Sequence, residues 1–122
     1  MAKKILIIED DEFLRQLISK KISSEGYEVS SAVDGTDGIE KVKSVMPDLI
    51  LLDLLLPTTD GYEVLSKIKA DKATSSIPVI ILSNLGQQDE INKGMKLGAI
   101  DFLVKAQLTP EEIVTKVKTI LK

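Results

Sequence analysis

Leu49-Ile50-Leu51-Leu52-Asp53-Leu54-Leu55-Leu56-Pro57 sets one charge inside an apolar run. The four residues before Asp53 do not alternate with polar ones, so they read as a strand buried on both faces rather than as the half-exposed strand of an antiparallel sheet. A charge in such surroundings is costly unless it is paired or bound to a metal. Asp53 is therefore read as a functional group and not only as the start of a turn. Two more runs have the same character, Ile5-Leu6-Ile7-Ile8 and Val79-Ile80-Ile81-Leu82, and weaker strands are expected from Tyr27 to Ala32 and from Ile100 to Val104.

Helical spacing fills the intervals. Leu14, Leu17, Ile18 and Ile22 form one apolar stripe, with Gly26 placed to cap its end. Ile39, Val42, Val45 and Met46 form a second, stopped by Pro47. Val64, Leu65 and Ile68 form a third, opened by Asp60 with Glu63 three residues on, a capping-box pattern. The last helix opens on Thr109-Pro110-Glu111-Glu112, which supplies N-cap, N1 proline and capping-box acid together, and its stripe is Ile113, Val114, Val117, Ile120 and Leu121. The segment Gln87 to Leu97 is the poorest helix. It offers mainly Ile91, Met95 and Leu97, and Gly94 inside it costs about 1 kcal/mol against alanine. Five β-α units in succession predict a parallel sheet with helices on both faces, joined by right-handed crossovers.

With 122 residues, 43% of them hydrophobic and 29% charged, the chain has room for one core of ordinary size. The net charge of -3 gives no general affinity for nucleic acid or anionic membranes. Neither cysteine nor histidine is present, which removes disulfides, thiolate or imidazole metal sites, serine-protease-type triads and any histidine phosphodonor within the chain. Met1-Ala2-Lys3-Lys4 precedes only four apolar residues before an acidic cluster, so no signal peptide is expected, and no apolar run approaches a membrane span. A cytoplasmic location is expected.

In open α/β sheets functional groups gather beyond the carboxyl ends of the strands, at the topological switch point. The residues there are Glu9-Asp10-Asp11-Glu12 after the first strand, Asp53 after the third, Ser83-Asn84 after the fourth and Lys105 after the fifth. Asp11 or Glu12 is expected to cap the following helix, which leaves at least one carboxylate to face Asp53. Crowded carboxylates repel, and a hard cation such as magnesium relieves this with oxygen ligands and waters. A carboxylate can act as a nucleophile and form an aspartyl phosphate. Phosphoryl transfer needs alignment and charge neutralisation, which a cation and an ammonium group supply, while a serine hydroxyl can bond a phosphoryl oxygen.

The ordered set of Ile5 to Asp10 with Arg15, Asp53 with Pro57 and Asp60-Gly61, Ser83, and Phe102 with Lys105 resembles the response-regulator receiver family of two-component systems, over essentially the whole chain. CheY is its familiar stand-alone member. The resemblance implies one receiver domain over 1–122, with a doubly wound five-stranded α/β fold of flavodoxin-like order 2-1-3-4-5. It implies that Arg15 sets the register, making Glu9 and Asp10 the acidic pair. Asp10 would bind Mg2+ (or Mn2+) directly and Glu9 through water, with Asp53 and the backbone carbonyl of Leu55 as further ligands. Asp53 would be the phosphoacceptor, Ser83 and Lys105 would contact the phosphoryl group, and Ser83 and Phe102 would form the switch. The implied partners are a sensor histidine kinase or phosphotransfer protein and a downstream target on the face of the fourth helix, fifth strand and fifth helix, with no direct nucleic-acid or membrane contact. The domain would be no enzyme beyond catalysing its own phosphorylation and dephosphorylation.

Three departures from the family pattern stand out. Ala106 replaces the usual proline after the lysine, Asn84 replaces a small residue, and Leu55 and Leu85 are apolar where polar residues are common at the mouth of the site. In receivers with the proline, the lysine-proline bond is generally cis. The need for Lys105 to point at the site favours a cis Lys105-Ala106 bond here too, although cis before a non-proline residue costs about 2.5–4 kcal/mol. Competing readings are weaker. A hydrolase of the haloacid-dehalogenase type wants a second aspartate where Leu55 stands, and a flavin site wants a phosphate loop where Glu9 to Glu12 would repel one. A non-phosphorylated module of the same fold would have lost Asp53, the acidic pair or Lys105. The chain is either a stand-alone regulator or a piece of a longer one.

Overall fold

The computed structural model describes residues 2–121. Its elements are β1 (Lys4–Ile8), α1 (Glu12–Ser24), β2 (Glu28–Ala32), α2 (Gly35–Val45), β3 (Leu49–Leu52), α3 (Gly61–Ala70), β4 (Val79–Ser83), α4 (Gln88–Lys96), β5 (Asp101–Val104) and α5 (Pro110–Ile120). All strand pairs are parallel, in the order β2-β1-β3-β4-β5. This is the expected flavodoxin-like order.

The unbroken apolar runs are explained by where their side chains go. Leu6, Ile8, Ile50, Leu52, Val79 and Ile81 join Val42 of α2 and Val64, Leu65 and Ile68 of α3 in one core. Their neighbours Ile5, Ile7, Leu49, Leu51, Ile80 and Leu82 join Ile18 and Ile22 of α1 and Ile113, Val114 and Val117 of α5 in the other. Alternation of side chains across the sheet thus fills both faces from one apolar run.

The caps mostly follow the sequence. Asp11 Oδ1 accepts from Leu14 N at 3.1 Å. Thr109 and Glu112 exchange both bonds of a capping box, at 3.0 and 3.2 Å. Gly26 follows α1 with φ +96°. The box expected at Asp60 is half formed, since Asp60 Oδ1 accepts from Tyr62 N at 2.9 Å and Glu63 provides no return bond. A cap not foreseen lies at α4, where Glu90 Oε1 accepts from Gln87 N at 2.9 Å and Gly86 N at 3.2 Å.

Two apolar assignments are corrected. Met46 is no part of the α2 stripe. It caps that helix in the left-handed conformation, φ 50°, and is largely exposed, because Pro47 forbids a further turn. Met95 is also exposed, and Gly94 is the buried residue of α4. A Cβ there would lie 2.5 Å from Ile81 Cδ1 and 3.2 Å from the Phe102 ring. Glycine lets α4 approach the sheet closely, which offsets its poor helix propensity.

Gly61 is more tightly confined. A Cβ at this position would fall 2.4 Å from Leu54 Cα and 2.6 Å from the Asp53 carbonyl oxygen, both backbone atoms that cannot swing aside. Gly61→Ala is therefore expected to destabilise the fold by about 1–3 kcal/mol through overpacking. Urea unfolding measures this, and a midpoint equal to the parent's would show that the loop after β3 yields freely.

Candidate functional site

The sheet order creates the site. From β1 the chain passes to β2 on one side, then returns to place β3 on the other, so the carboxyl ends of β1 and β3 lie side by side at the switch point. Glu9 N donates to Ala32 O and Asp53 N to Ile8 O, each at 3.0 Å, which continues the ladder to the two acids. Arg15 Nη1 donates to the carbonyl of Glu9 at 2.9 Å, so the guanidinium clamps the turn carrying the acidic pair.

Glu9, Asp10 and Asp53 come together, with one oxygen from each within 4.8 Å of the others. Glu9 and Asp53 are buried, at 2% and 4% exposure, and Asp10 faces solvent. Lys105 Nζ lies 2.6 Å from Glu9 Oε1 and 3.1 Å from Asp53 Oδ2. Its hydrogen bond is aligned on Asp53, and Glu9 Oε1 is left buried without a well-directed donor. The remaining oxygen of Asp53, Oδ1, accepts from Leu55 N at 3.2 Å. With all three carboxyls ionised, the single ammonium leaves two negative charges unmatched. That surplus and the unsatisfied Glu9 oxygen fit a divalent, oxygen-seeking cation.

The charges act on one another. Burial, with Asp53 alongside, pushes the Glu9 carboxyl from its ordinary 4.5 up to about 7, against the opposing pull of Lys105. Burial pulls the Lys105 ammonium down, but Glu9 and Asp53 outweigh it and hold it above its ordinary range.

The other expected residues line the same end of the sheet. Ser83 is fully buried at the end of β4, and its Oγ accepts from Leu85 N at 3.4 Å. Phe102 is half-buried on β5 and packs on the core beside Gly94. Leu55 is 53% exposed and forms an isolated antiparallel bridge with Asp60, which shapes the loop bearing its carbonyl. Leu85 is half-buried against the core.

One expectation is overturned. No cis peptide bond occurs among the described residues, so Lys105-Ala106 is trans. A 3-10 turn over Lys105–Gln107 bends the chain after β5, and Lys105 still reaches both carboxylates. With alanine in place of proline, the trans bond is favoured by the full non-prolyl preference. The Glu9–Lys105 contact was not legible in the sequence, because nothing local marks a pair 96 positions apart.

The comparisons with known proteins agree with this geometry. The family model described as the response regulator receiver domain matches residues 5–118. The chain belongs to the response regulator receiver family. The DNA-binding dual master transcriptional regulator RpaA of Synechocystis sp. is 40% identical over 119 residues, covering 98% of this chain and 49% of the relative. The chain thus spans about half the length of the curated relatives it matches. Among solved structures, the chemotaxis protein CheY4 of Vibrio cholerae matches with TM-score 0.91 at 25% identity, over 98% of this receiver and 99% of that chain. A CheY-like receiver domain protein of Methanospirillum hungatei matches with TM-score 0.89 at 27% identity, over 98% and 93%. The receiver is a signalling domain of the two-component, phosphorylation-controlled type. No helix among its described residues is long and apolar enough to cross a membrane.

The raised Glu9 carboxyl has a pH signature. A group bound more tightly to its proton in the folded state contributes stability that is fully present below its unfolded value and is lost as pH rises through the folded one. For Glu9 the window runs from 4.5 to about 7. In metal-free buffer, Glu9→Gln is expected to gain Tm relative to the parent between about pH 5 and about pH 8. Magnesium at the upper pH is expected to raise the parent's Tm more than the variant's. Parallel Tm curves with and without magnesium would contradict this.

Proposed function

We propose that Asp53 accepts a single phosphoryl group from a phosphohistidine on a sensor kinase or phosphotransfer protein, with Mg2+ (or Mn2+) bound, and that the acyl phosphate changes the surface formed by α4, β5 and α5. The observation that supports this most strongly is the convergence of Glu9, Asp10, Asp53 and Lys105 at the switch point. An Asp53 carboxylate oxygen attacks phosphorus. The new O–P bond forms as the donor's N–P bond breaks, and the imidazole leaves with the bonding pair and takes up a proton. The histidine comes from the partner, since this chain has none.

Asp10, Asp53, the Leu55 carbonyl and, through water, Glu9 would hold the cation, which when bound neutralises charge on the phosphoryl oxygens. Lys105 is drawn from its carboxylate contacts to a phosphoryl oxygen, and Ser83 donates its hydroxyl to another. Movement of Ser83 frees space beside the half-buried Phe102 ring, which is the route to α4. The domain's catalysis is limited to making and losing its own phosphoryl group. A cytoplasmic place is part of this reading, as is the absence of direct nucleic-acid contact, which rests on the net charge of -3.

Intact-mass spectrometry with acetyl phosphate and magnesium is expected to show one added phosphoryl group on the parent and none on Asp53→Asn. Equal labelling of the variant, or labelling undiminished by a chelator, would refute the assignment.

The lifetime of the phosphoryl group follows from the mouth of the site. Hydrolysis needs a water in line with the Asp53–phosphorus bond. Leu55 and Leu85 stand two positions past Asp53 and Ser83, offer no hydrogen bond to orient that water, and screen its approach. Each 1.4 kcal/mol of lost transition-state stabilisation costs about tenfold in rate. The Leu55→Asn, Leu85→Glu double variant is expected to lose phosphate about tenfold faster than the parent after donor removal at saturating magnesium. Equal decay rates would place control of the lifetime elsewhere.

A further inference from the structure

Tyr62 makes contacts that the phosphoryl chemistry does not use. It stands in the first turn of α3, directly after Gly61, whose Cα lies against the backbone of Leu54 and the Asp53 carbonyl. Its own N–H is bound by Asp60 Oδ1 at 2.9 Å. The residue is therefore anchored to the loop that leaves Asp53. Its side chain crosses to α4, where the phenol donates to the carbonyl of Glu90 at 2.9 Å, and Lys93 Nζ sits 4.4 Å from the ring centroid. Burial raises the phenol above its ordinary value, so the hydroxyl keeps its proton.

Glu90 continues the chain of contacts. Its carboxylate accepts from Gly86 N and Gln87 N, which ties the end of the loop after β4 to the first turn of α4. Ser83 opens that loop, and Leu85 N donates to the Ser83 hydroxyl. The linkage thus runs from the Asp53 loop through Tyr62 and Glu90 to the Ser83 loop. It is separate from the Phe102 contact, which meets α4 at Gly94, one turn further on. Among the apolar positions of α4, Ile91 is half-buried and Met95 exposed, so few contacts compete with a single directed hydrogen bond in holding its first turn.

We propose that Tyr62 is a positioning residue that tethers α4 and the Ser83 loop in the arrangement of the unphosphorylated site, where Lys105 is paired with Glu9 and Asp53. The tether opposes the shift that brings Ser83 to a phosphoryl group, and so sets how readily the site is phosphorylated. This rests on the Asp53 reading above. A contact present in one of two states biases the equilibrium by its own strength, and the same factor appears in the affinity of any ligand that selects the other state.

Tyr62→Phe removes the hydroxyl and keeps the ring. Two measurements read its effect. Without any phosphate mimic, amide exchange across residues 86–91 is expected to be faster in the variant. With magnesium and beryllofluoride, a mimic of the phosphoryl group, the variant is expected to bind roughly two- to tenfold more tightly, the factor that one net hydrogen bond corresponds to. Lys93→Ala, which removes the cation and leaves the hydroxyl bond, is expected to shift affinity in the same direction by less. A purely structural role predicts the opposite, a lower Tm with equal or weaker beryllofluoride binding, and that result would overturn the proposal. Binding of equal strength in parent and Tyr62→Phe overturns the tether alone. No beryllofluoride binding in either protein overturns the Asp53 reading and the tether with it.

Discussion

Two carboxylates, Glu9 and Asp53, are buried at the end of a sheet whose strands are otherwise apolar, and Lys105 lies between them. Removing such charges from water costs several kcal/mol per ion unless they are well compensated. The compensation comes from the turn directly after β5, beyond β4, because the one basic residue on the acids' own strands, Lys4, stands at the opposite end of β1. Parallel strands lie about 4.8 Å apart, so only a long, flexible side chain reaches back across β4 to β3 and β1. Lysine does this from the sheet edge, with a trans bond behind it and a 3-10 turn to redirect the chain. One ammonium cannot balance three acids, and the deficit is what makes the site receptive to a cation. A site whose charges are left incompletely matched is stable enough to fold and poised to bind.

The same end of the sheet carries the least firmly held helix. α1 buries Ile18 and Ile22 and α5 buries Ile113, Val114 and Val117, whereas α4 presents a buried glycine, a half-buried isoleucine and an exposed methionine. Its position depends on a few directed contacts, namely the Phe102 ring at Gly94, the Glu90 cap and the Tyr62 hydroxyl. Broad hydrophobic contact resists displacement in every direction, while a small number of directed bonds can be exchanged for others at low cost. An element packed in this way can respond to a change of charge next to it without disturbing either core.

The sequence was informative wherever a residue's meaning depends on its near neighbours. The doubled apolar runs marked strands filled from both faces, Thr109-Pro110-Glu111-Glu112 marked its own cap, and Gly26 its own turn. It misled where local pattern and tertiary setting disagree. Met46 has the right spacing for the α2 stripe but falls at a helix end fixed by Pro47. Gly94 reads as a weakness until Ile81 and Phe102 are placed against it. Lys105-Ala106 was argued from a need to aim the lysine, which the turn after β5 meets without a cis bond.

The sequence by itself determined the alternation of strands and helices, the sheet order implied by its resemblance, and which strand ends carry acid, hydroxyl and ammonium. These follow from side-chain periodicity and from the geometry of parallel sheets, both of which are local or general. Only the tertiary structure decided that Glu9 is the buried acid and Asp10 the exposed one, that Lys105 is shared between Glu9 and Asp53, and that Tyr62 bonds to a carbonyl on α4. Each of these depends on a distance between residues far apart in the chain, and on how much water the packing excludes around them. Neither quantity is written in any short stretch of sequence.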